Sequence, residues 1–309
     1  MRMKADDRRI LPKRLFRYSL LLIALITAGL ILPVHTATAD SLSISHELDV
    51  GFGYSGGATT LQKEQHIGSV NELNSNVKYV VSPQVTKDLL LRFGAEWERL
   101  SFATPPGAAL PDPLQRVNAV IGFDYQLAEQ WLMRAEVMPG VYGDFRNVGW
   151  DSFDAPFDLG FAYLQDADLQ WFFGLRVDPR SEYPVLPAAG VRWQYADNWT
   201  LNLQLPNPRL EYTVNDDLQM YIGAGIKAAT YVVGDHFGDA HGIPRLNKAT
   251  VDYFEVRTGP GLSWKVTPQI TLEAEGGAMV NRTWNFFDRD VDLESRPAPY
   301  FQIACRARF

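Results

Sequence analysis

The chain has a single cysteine, Cys305, in 309 residues, and only five histidines. One thiol excludes an intramolecular disulfide, so no covalent staple organises the fold, and at its position Cys305 reads as a small apolar residue. Long apolar runs are nearly absent as well. The one that exists, residues 20–32, is apolar except for Thr27 and Gly29, and its 13 residues fall short of the roughly 20 that a bilayer-spanning helix needs. It follows a basic stretch (MRMKADDRRILPKRLFRYS) and precedes Pro33 and the small-x-small triplet Ala37-Thr38-Ala39. That is the pattern of a secretory signal peptide, so residues 1–39 are expected to be a leader and residues 40–309 the mature domain. After the leader the chain carries 22 Lys and Arg against 34 Asp and Glu, without a basic patch. A nucleic-acid partner is therefore not expected. If the mature chain crosses a membrane it must do so with strands, because no other segment has the length of a spanning helix.

Strand patterning is what the sequence has in quantity. Leu42, Ile44, His46, Leu48, Val50, Phe52 and Tyr54 alternate with Ser43, Ser45, Glu47, Asp49, Gly51 and Gly53, a period of two that gives the strand two faces with different solvents. The same alternation recurs at 77–81, 89–97, 117–127, 131–141, 157–163, 169–177, 189–195, 199–205, 210–214, 218–228, 252–266, 270–280 and 300–309, which makes fourteen candidate strands. Their connectors take turns between short polar ones, such as 128–130, 166–168, 196–198, 215–217 and 267–269, and longer ones at 55–69, 103–115, 144–156, 178–187, 234–249 and 281–297. An up-and-down barrel has this alternation of turns and loops. The exception is Pro206-Asn207-Pro208, a tight connector where a long one is due. It predicts either a low rim or a kinked single strand, hence twelve strands instead of fourteen. Tyr125, Trp131, Tyr195, Trp199 and Trp264 cluster beside the short turns, as aromatic residues do at membrane interfaces.

The last strand, YFQIACRARF, alternates apolar Phe301, Ile303, Cys305, Ala307 and Phe309 with Gln302, Arg306 and Arg308. In this it resembles bacterial outer-membrane β-barrel proteins, whose last strand ends in Phe or Trp. The resemblance implies that Phe301, Ile303 and Phe309 form the signal read by the barrel-assembly machinery; Ala304 departs from it, standing where Gly is frequent. LPNPRLEY (205–212), followed by NDDLQMYIGAG, is similar to a family of outer-membrane β-barrel proteins of unknown function. The implied fold class is all-β: a transmembrane up-and-down antiparallel β-barrel of about fourteen strands in a Gram-negative outer membrane, with outer-membrane lipid as its surroundings.

Following the polar parity of each strand predicts the wall of the lumen. The basic set is Lys78, Arg92, Arg116, Arg134, Arg176, Arg192, Arg209, Lys227, Arg257, Lys265, Arg306 and Arg308. The acidic set is Glu47, Asp49, Glu72, Glu96, Glu98, Asp124, Glu136, Asp158, Glu211, Glu255, Glu273 and Glu275. Glu273 and Glu275 are expected to face Arg306 and Arg308, which close in turn against Glu47 and Asp49. Twelve charges of each sign balance, so the acidic excess belongs to the loops.

Catalysis needs a nucleophile beside a base. His46 falls on the lipid parity, and His66, His236 and His241 lie in loops without a matching Ser or Asp, so no enzymatic activity is expected. Asp235, His236, Asp239 and His241, and separately Asp288, Asp290 and Asp292, mix ligand types that metals use, but neither completes a metal-binding pattern; solvated acidic loops are the expectation, with no metal and no cofactor. The function expected is a narrow, porin-like channel for small solutes. The alternatives are a structural or ligand-binding barrel without transport, and a fatty-acid-type transporter.

Overall fold

The structure is a computed structural model and describes residues 43–63, 65–105 and 107–309; the signal-peptide segment lies outside the described residues. Strands dominate because the alternation satisfies two solvents at once. They are β1 (Ile44–Gln62), β2 (Gln65–Thr86), β3 (Leu89–Ala103), β4 (Leu114–Ala128), β5 (Trp131–Val137), β6 (Gly140–Gly143), β7 (Phe153–Asp154), β8 (Phe157–Leu164), β9 (Leu169–Val177), β10 (Val185–Ala196), β11 (Trp199–Asn202), β12 (Arg209–Thr213), β13 (Leu218–Val232), β14 (Thr250–Lys265), β15 (Ile270–Phe286), β16 (Val291–Ser295) and β17 (Ala298–Arg308). Three strands are interrupted. Met138-Pro139 breaks β5 from β6, Ala155-Pro156 breaks β7 from β8, and Arg296-Pro297 breaks β16 from β17, each at a proline without an N–H to give.

Counting each interrupted pair once gives a fourteen-stranded antiparallel ring. It closes between β1 and β17, in register from Glu47↔Arg308 to Ser55↔Tyr300, with His46 and Phe309 exchanging backbone hydrogen bonds of 3.0 Å. Closure removes the edges that a hydrocarbon surrounding would leave unpaired. Outward parity is apolar: Phe93, Ile121, Phe173, Ile222, Leu262, Phe301 and Ile303 are all exposed, and Trp131, Trp171, Trp193, Trp199 and Trp264 ring the short-turn end. No described helix is long and apolar enough to cross a membrane, which says nothing against crossing by strands.

The segments expected as long loops at 55–69 and 281–297 are largely strand. β1 and β2 continue to a tight hairpin at Lys63, past a register shift between Ser55 and Ala58, and β15 and β16 pair from Arg282↔Ser295 to Phe286↔Val291. Gly56-Gly57 breaks the visible alternation at that shift, and the ladder resumes at Ala58↔Val70. The Pro206-Asn207-Pro208 connector joins two separate strands, since β11 and β12 pair antiparallel from Trp199↔Tyr212 to Asn202↔Arg209. The strand number is therefore fourteen, and the rim there is low.

At the long-loop end the ring is short-circuited. β6, the top of the fifth strand, meets β13 in a parallel bridge at Gly143↔Val232, and Asp144 N donates to Val232 O at 3.3 Å. A collar of β13, β14, β15, β16, β1, β2, β3, β4 and β6 thus closes on itself, and β8–β12 form a lower lobe beside it. Inside the collar the inward residues turn apolar. Val70, Leu100, Phe102, Leu114, Tyr142, Tyr231, Val251, Trp284, Phe286 and Leu293 make one buried cluster, capped by Ala108–Leu110 and by Phe237, Leu246 and Ala249 of the folded-in loops.

Candidate functional site: the lumen

Below the apolar collar, several inward charges are bonded to strands that are not their neighbours. Lys227 on β13 reaches across to Glu98 on β3, Nζ to Oε1 2.6 Å, while Arg116 Nε lies 3.1 Å from the other oxygen of Glu98 and its Nη2 donates to Glu96 at 2.8 Å. Beside this tie, Arg282 Nη1 donates to Glu72 at 2.9 Å, and Tyr253 donates to Glu72 at 2.8 Å. Arg257 Nε lies 3.2 Å from Glu255, and the same guanidinium donates to Gln302. Arg282, Glu72 and Glu255 are almost wholly buried, so each charge depends on its partner rather than on water.

Toward the short turns, Arg92 is the hub. It is 2% exposed, donates from Nε to Glu136 at 2.5 Å, and grips Glu47 through both terminal nitrogens at 3.0 and 3.2 Å. Lys78 stands 3.6 Å from Glu136, and Arg134 pairs bidentately with Asp124 at 2.6 and 2.7 Å. At the closing seam Arg308 donates to Asp49 at 2.9 and 3.1 Å, and Arg306 to Glu273 at 3.1 Å. Glu273 also accepts from Arg209 at 3.4 Å, while Glu211 accepts from Asn202 and Gln219.

The expected partnering differs in two places. Glu275 is not held by the arginines of the last strand: it accepts from Tyr221 at 2.9 Å and from Tyr300, with Arg209 at 3.9 Å. Glu47 turns to Arg92, two strands away, instead of Arg308. The concave wall explains the Glu47–Arg92 and Glu275–Tyr221 contacts, because long side chains reach past the adjacent strand across a curved surface, while Tyr300 meets Glu275 from the adjacent strand. Sequence reasoning missed Arg282 and Trp284, whose segment reads as loop, and the apolar cluster above them.

In the lobe, next to the inward pair of Asp158 and Arg176, 3.2 Å apart, the wall turns to small residues. Gly160 faces Gly174 in the β8–β9 register, Gly174 faces Ala188, and Phe172 faces Gly190. They border a cavity of about 590 Å³, also lined by Leu90, Asp124, Arg134, Gln204 and Leu205. A Cβ added at Gly160 would meet nothing within 4 Å, so the wall there is bare.

The loop clusters are taken up internally. Lys248 lies 3.4 Å from Asp235 and 3.6 Å from Asp151, Asp290 is 3.3 Å from Lys63, and His241 Nδ1 is 2.7 Å from Phe237 O. Among the described residues no three His, Cys, Asp or Glu side chains stand close enough to hold a metal ion. Phe301, Ile303 and Phe309, read from the resemblance as an assembly signal, are exposed on the outer surface.

Comparison with known families gives one match that covers most of the chain, residues 61–306, to the family described as Domain of unknown function (DUF6268). The chain belongs to that family. No curated protein matches this DUF6268 chain in sequence. Among solved structures it is similar to the COG4313 outer membrane channel from Pseudomonas putida F1, at 10% identity over 89% of this chain and 100% of that one, TM-score 0.47. It is also similar to a Pseudomonas aeruginosa FadL homologue, at 9% identity over 86% and 90%, TM-score 0.44, and to the NanC porin, at 14% identity over 84% and 98%, TM-score 0.38.

Proposed function

We propose that this DUF6268 barrel sits in the outer membrane, with its short turns toward the periplasm, and passes small solutes through a narrow, gated lumen. The observation that carries this is the two-tier interior. A charged, cavity-bearing lower half is separated from the long-loop end by a collar whose apolar core excludes water, so passage requires the collar or the wall beside it to yield. Exposed aromatic and aliphatic residues around the outside support the membrane setting, since a soluble protein rarely leaves so large an apolar surface uncovered. The ligand-binding reading without transport is favoured by the same core, because Trp284, Leu246 and Leu293 are fully buried as in a permanent plug.

Single-channel recording of the purified chain in a planar bilayer tests the proposal. Small, intermittent openings with mild cation preference that fades as salt rises are expected, the acidic loops acting over a Debye length of roughly 10 Å at 0.1 M. A large steady conductance would refute the gate. Silence under all conditions would favour binding without transport.

A further inference from the structure

The collar leaves a window in the wall of the lobe. β10 pairs with β11 only over its lower half, from Arg192↔Asn202 downward, and one further bond runs from Leu203 N to Val191 O. On the other side, β13 is bonded by the β11–β12 connector as far as Ile226 N to Pro206 O, and is met again only at Val232 by Asp144. Between these bonds lie five residues of β13, Lys227–Tyr231, so that the two bonded positions are about 20 Å apart at 3.3–3.4 Å per residue, and no strand pairs with that edge or with the facing edge of β10 among the described residues. The loop after β9 narrows the top, where Ser181 Oγ donates to Asp252 at 2.9 Å and Glu182 N at 2.8 Å.

Two features fit an opening onto hydrocarbon. Because Val191 O accepts from Leu203 N, the odd-numbered residues of β10 present their backbone groups to this seam, and Pro187 removes one donor that would stand unpaired there. The rim is also apolar and exposed, with Val185 at 58% and Leu203 and Leu205 at 45%. A mouth opening onto water would not need such a rim. Leu205 and Ala188 line both the seam and the 590 Å³ cavity, so the two are continuous.

The cavity itself indicates what enters. Its charges cancel in place, Arg134 with Asp124 at 2.6 Å and Lys87 with Asp88 at 3.9 Å, so a charged ligand would have to break the bidentate pair. Its remaining wall is mostly glycine, alanine, leucine, methionine and aromatic residues, with Gln126 and Gln204 as its uncharged polar groups, and its volume lies in the range of sites for drug-sized ligands. We propose that the cavity binds an uncharged, mainly apolar molecule and receives it from the lipid through the window between β10 and β13. This deepens the channel reading by naming its substrate class and point of entry.

The full chain in lipid nanodiscs, irradiated with the neutral photolabel 3-trifluoromethyl-3-phenyldiazirine, tests the proposal. Peptide mass spectrometry should find adducts at Phe172 and Leu90, inside, as well as at Phe301 and Ile303, outside. Gly160→Phe, whose ring has open space to occupy, should lower the inner adducts by at least about tenfold, the equivalent of 1.4 kcal/mol of affinity. The outer adducts then report that the variant is folded. Ala228→Trp, at the exposed edge of the window, should slow inner labelling and leave outer labelling unchanged. A para-carboxylate version of the label should spare the inner sites. Unlabelled Phe172 in the wild type, equal inner labelling of Gly160→Phe, equal use of the carboxylate, or an unaltered rate in Ala228→Trp would each overturn the proposal. If the bilayer recordings show conductance while Phe172 stays unlabelled, this inference fails alone; labelling with a silent bilayer sinks the channel reading alone.

Discussion

Replacing Lys227 by Met removes the ion pair that ties β13 to β3 across the lumen, while keeping an unbranched stem of similar length. The loss can be worked from the surroundings. Lys227 Nζ sits 2.6 Å from Glu98 Oε1, with the lysine side chain 16% exposed and the glutamate 4%. A hydrogen bond to a charged group contributes about 1.5–3 kcal/mol net. The much larger cost of an orphaned buried carboxylate does not arise, because Arg116 remains 3.1 Å from Glu98. Lys227→Met should therefore cost about 1.5–3 kcal/mol. Glu98→Gln should cost more, about 3–5 kcal/mol, since it leaves the mostly buried Lys227 facing a neutral amide and Arg116 with Glu96 alone. The double variant should recover part of the difference, giving a coupling of about 1.5–3 kcal/mol in a double-mutant cycle. Urea unfolding in lipid vesicles, read by tryptophan fluorescence, measures the energies, and bilayer recording reads the gate, which should open more often in Lys227→Met. A coupling below about 0.5 kcal/mol, or the reverse order of the two single variants, would refute the claim that this pair spans the lumen as a stabilising tie.

Three further outcomes follow from the same interior. Trp284→Ala, which removes a fully buried ring lying 5.2 Å from Phe102 and 5.8 Å from Tyr253, should lose about 3–5 kcal/mol in urea unfolding and raise solute entry into proteoliposomes. Arg92→Met leaves Glu47 without its guanidinium and Glu136 with Lys78 at 3.6 Å, and should cost about 3–5 kcal/mol, whereas Arg134→Met, at a half-exposed pair, should cost less than about 1 kcal/mol; equal losses would argue against Arg92 as the hub. Burial, and then the nearby Asp154, hold the Asp178 carboxyl above its usual 3.8, so the folded loop binds its proton more readily than the unfolded chain does. The loop's stability is then fullest below 3.8 and declines as pH rises through the raised value, so the gate should close more firmly on acidification. Asp178→Asn should flatten that dependence in single-channel records, and an unchanged pH profile in the variant would count against it.

How much of this was legible in the sequence depends on how local the signal is. The barrel was, because a period of two over strands such as β1 and β14 is written residue by residue, and closing the ring needs only that each strand find its neighbour. Fourteen strands were legible but not decided, since Pro206-Asn207-Pro208 reads equally as a kink or a turn until the Trp199↔Tyr212 pairing separates the two. The inward parity of the charges could be read strand by strand, whereas their partners could not. Arg92 choosing Glu47, and Lys227 choosing Glu98, depend on curvature and on the width of the lumen, and neither is a property of any window of sequence. The collar was least legible. Tyr231, Val251 and Trp284 occupy the same parity as Lys227, Glu255 and Arg282 on the same strands, so the change from charged to apolar along one face was visible, but its meaning required β6 to meet β13. That single bridge turns three apolar strand ends into a closed core, leaves β8–β12 outside it, and so creates both the barrier in the lumen and the window beside it.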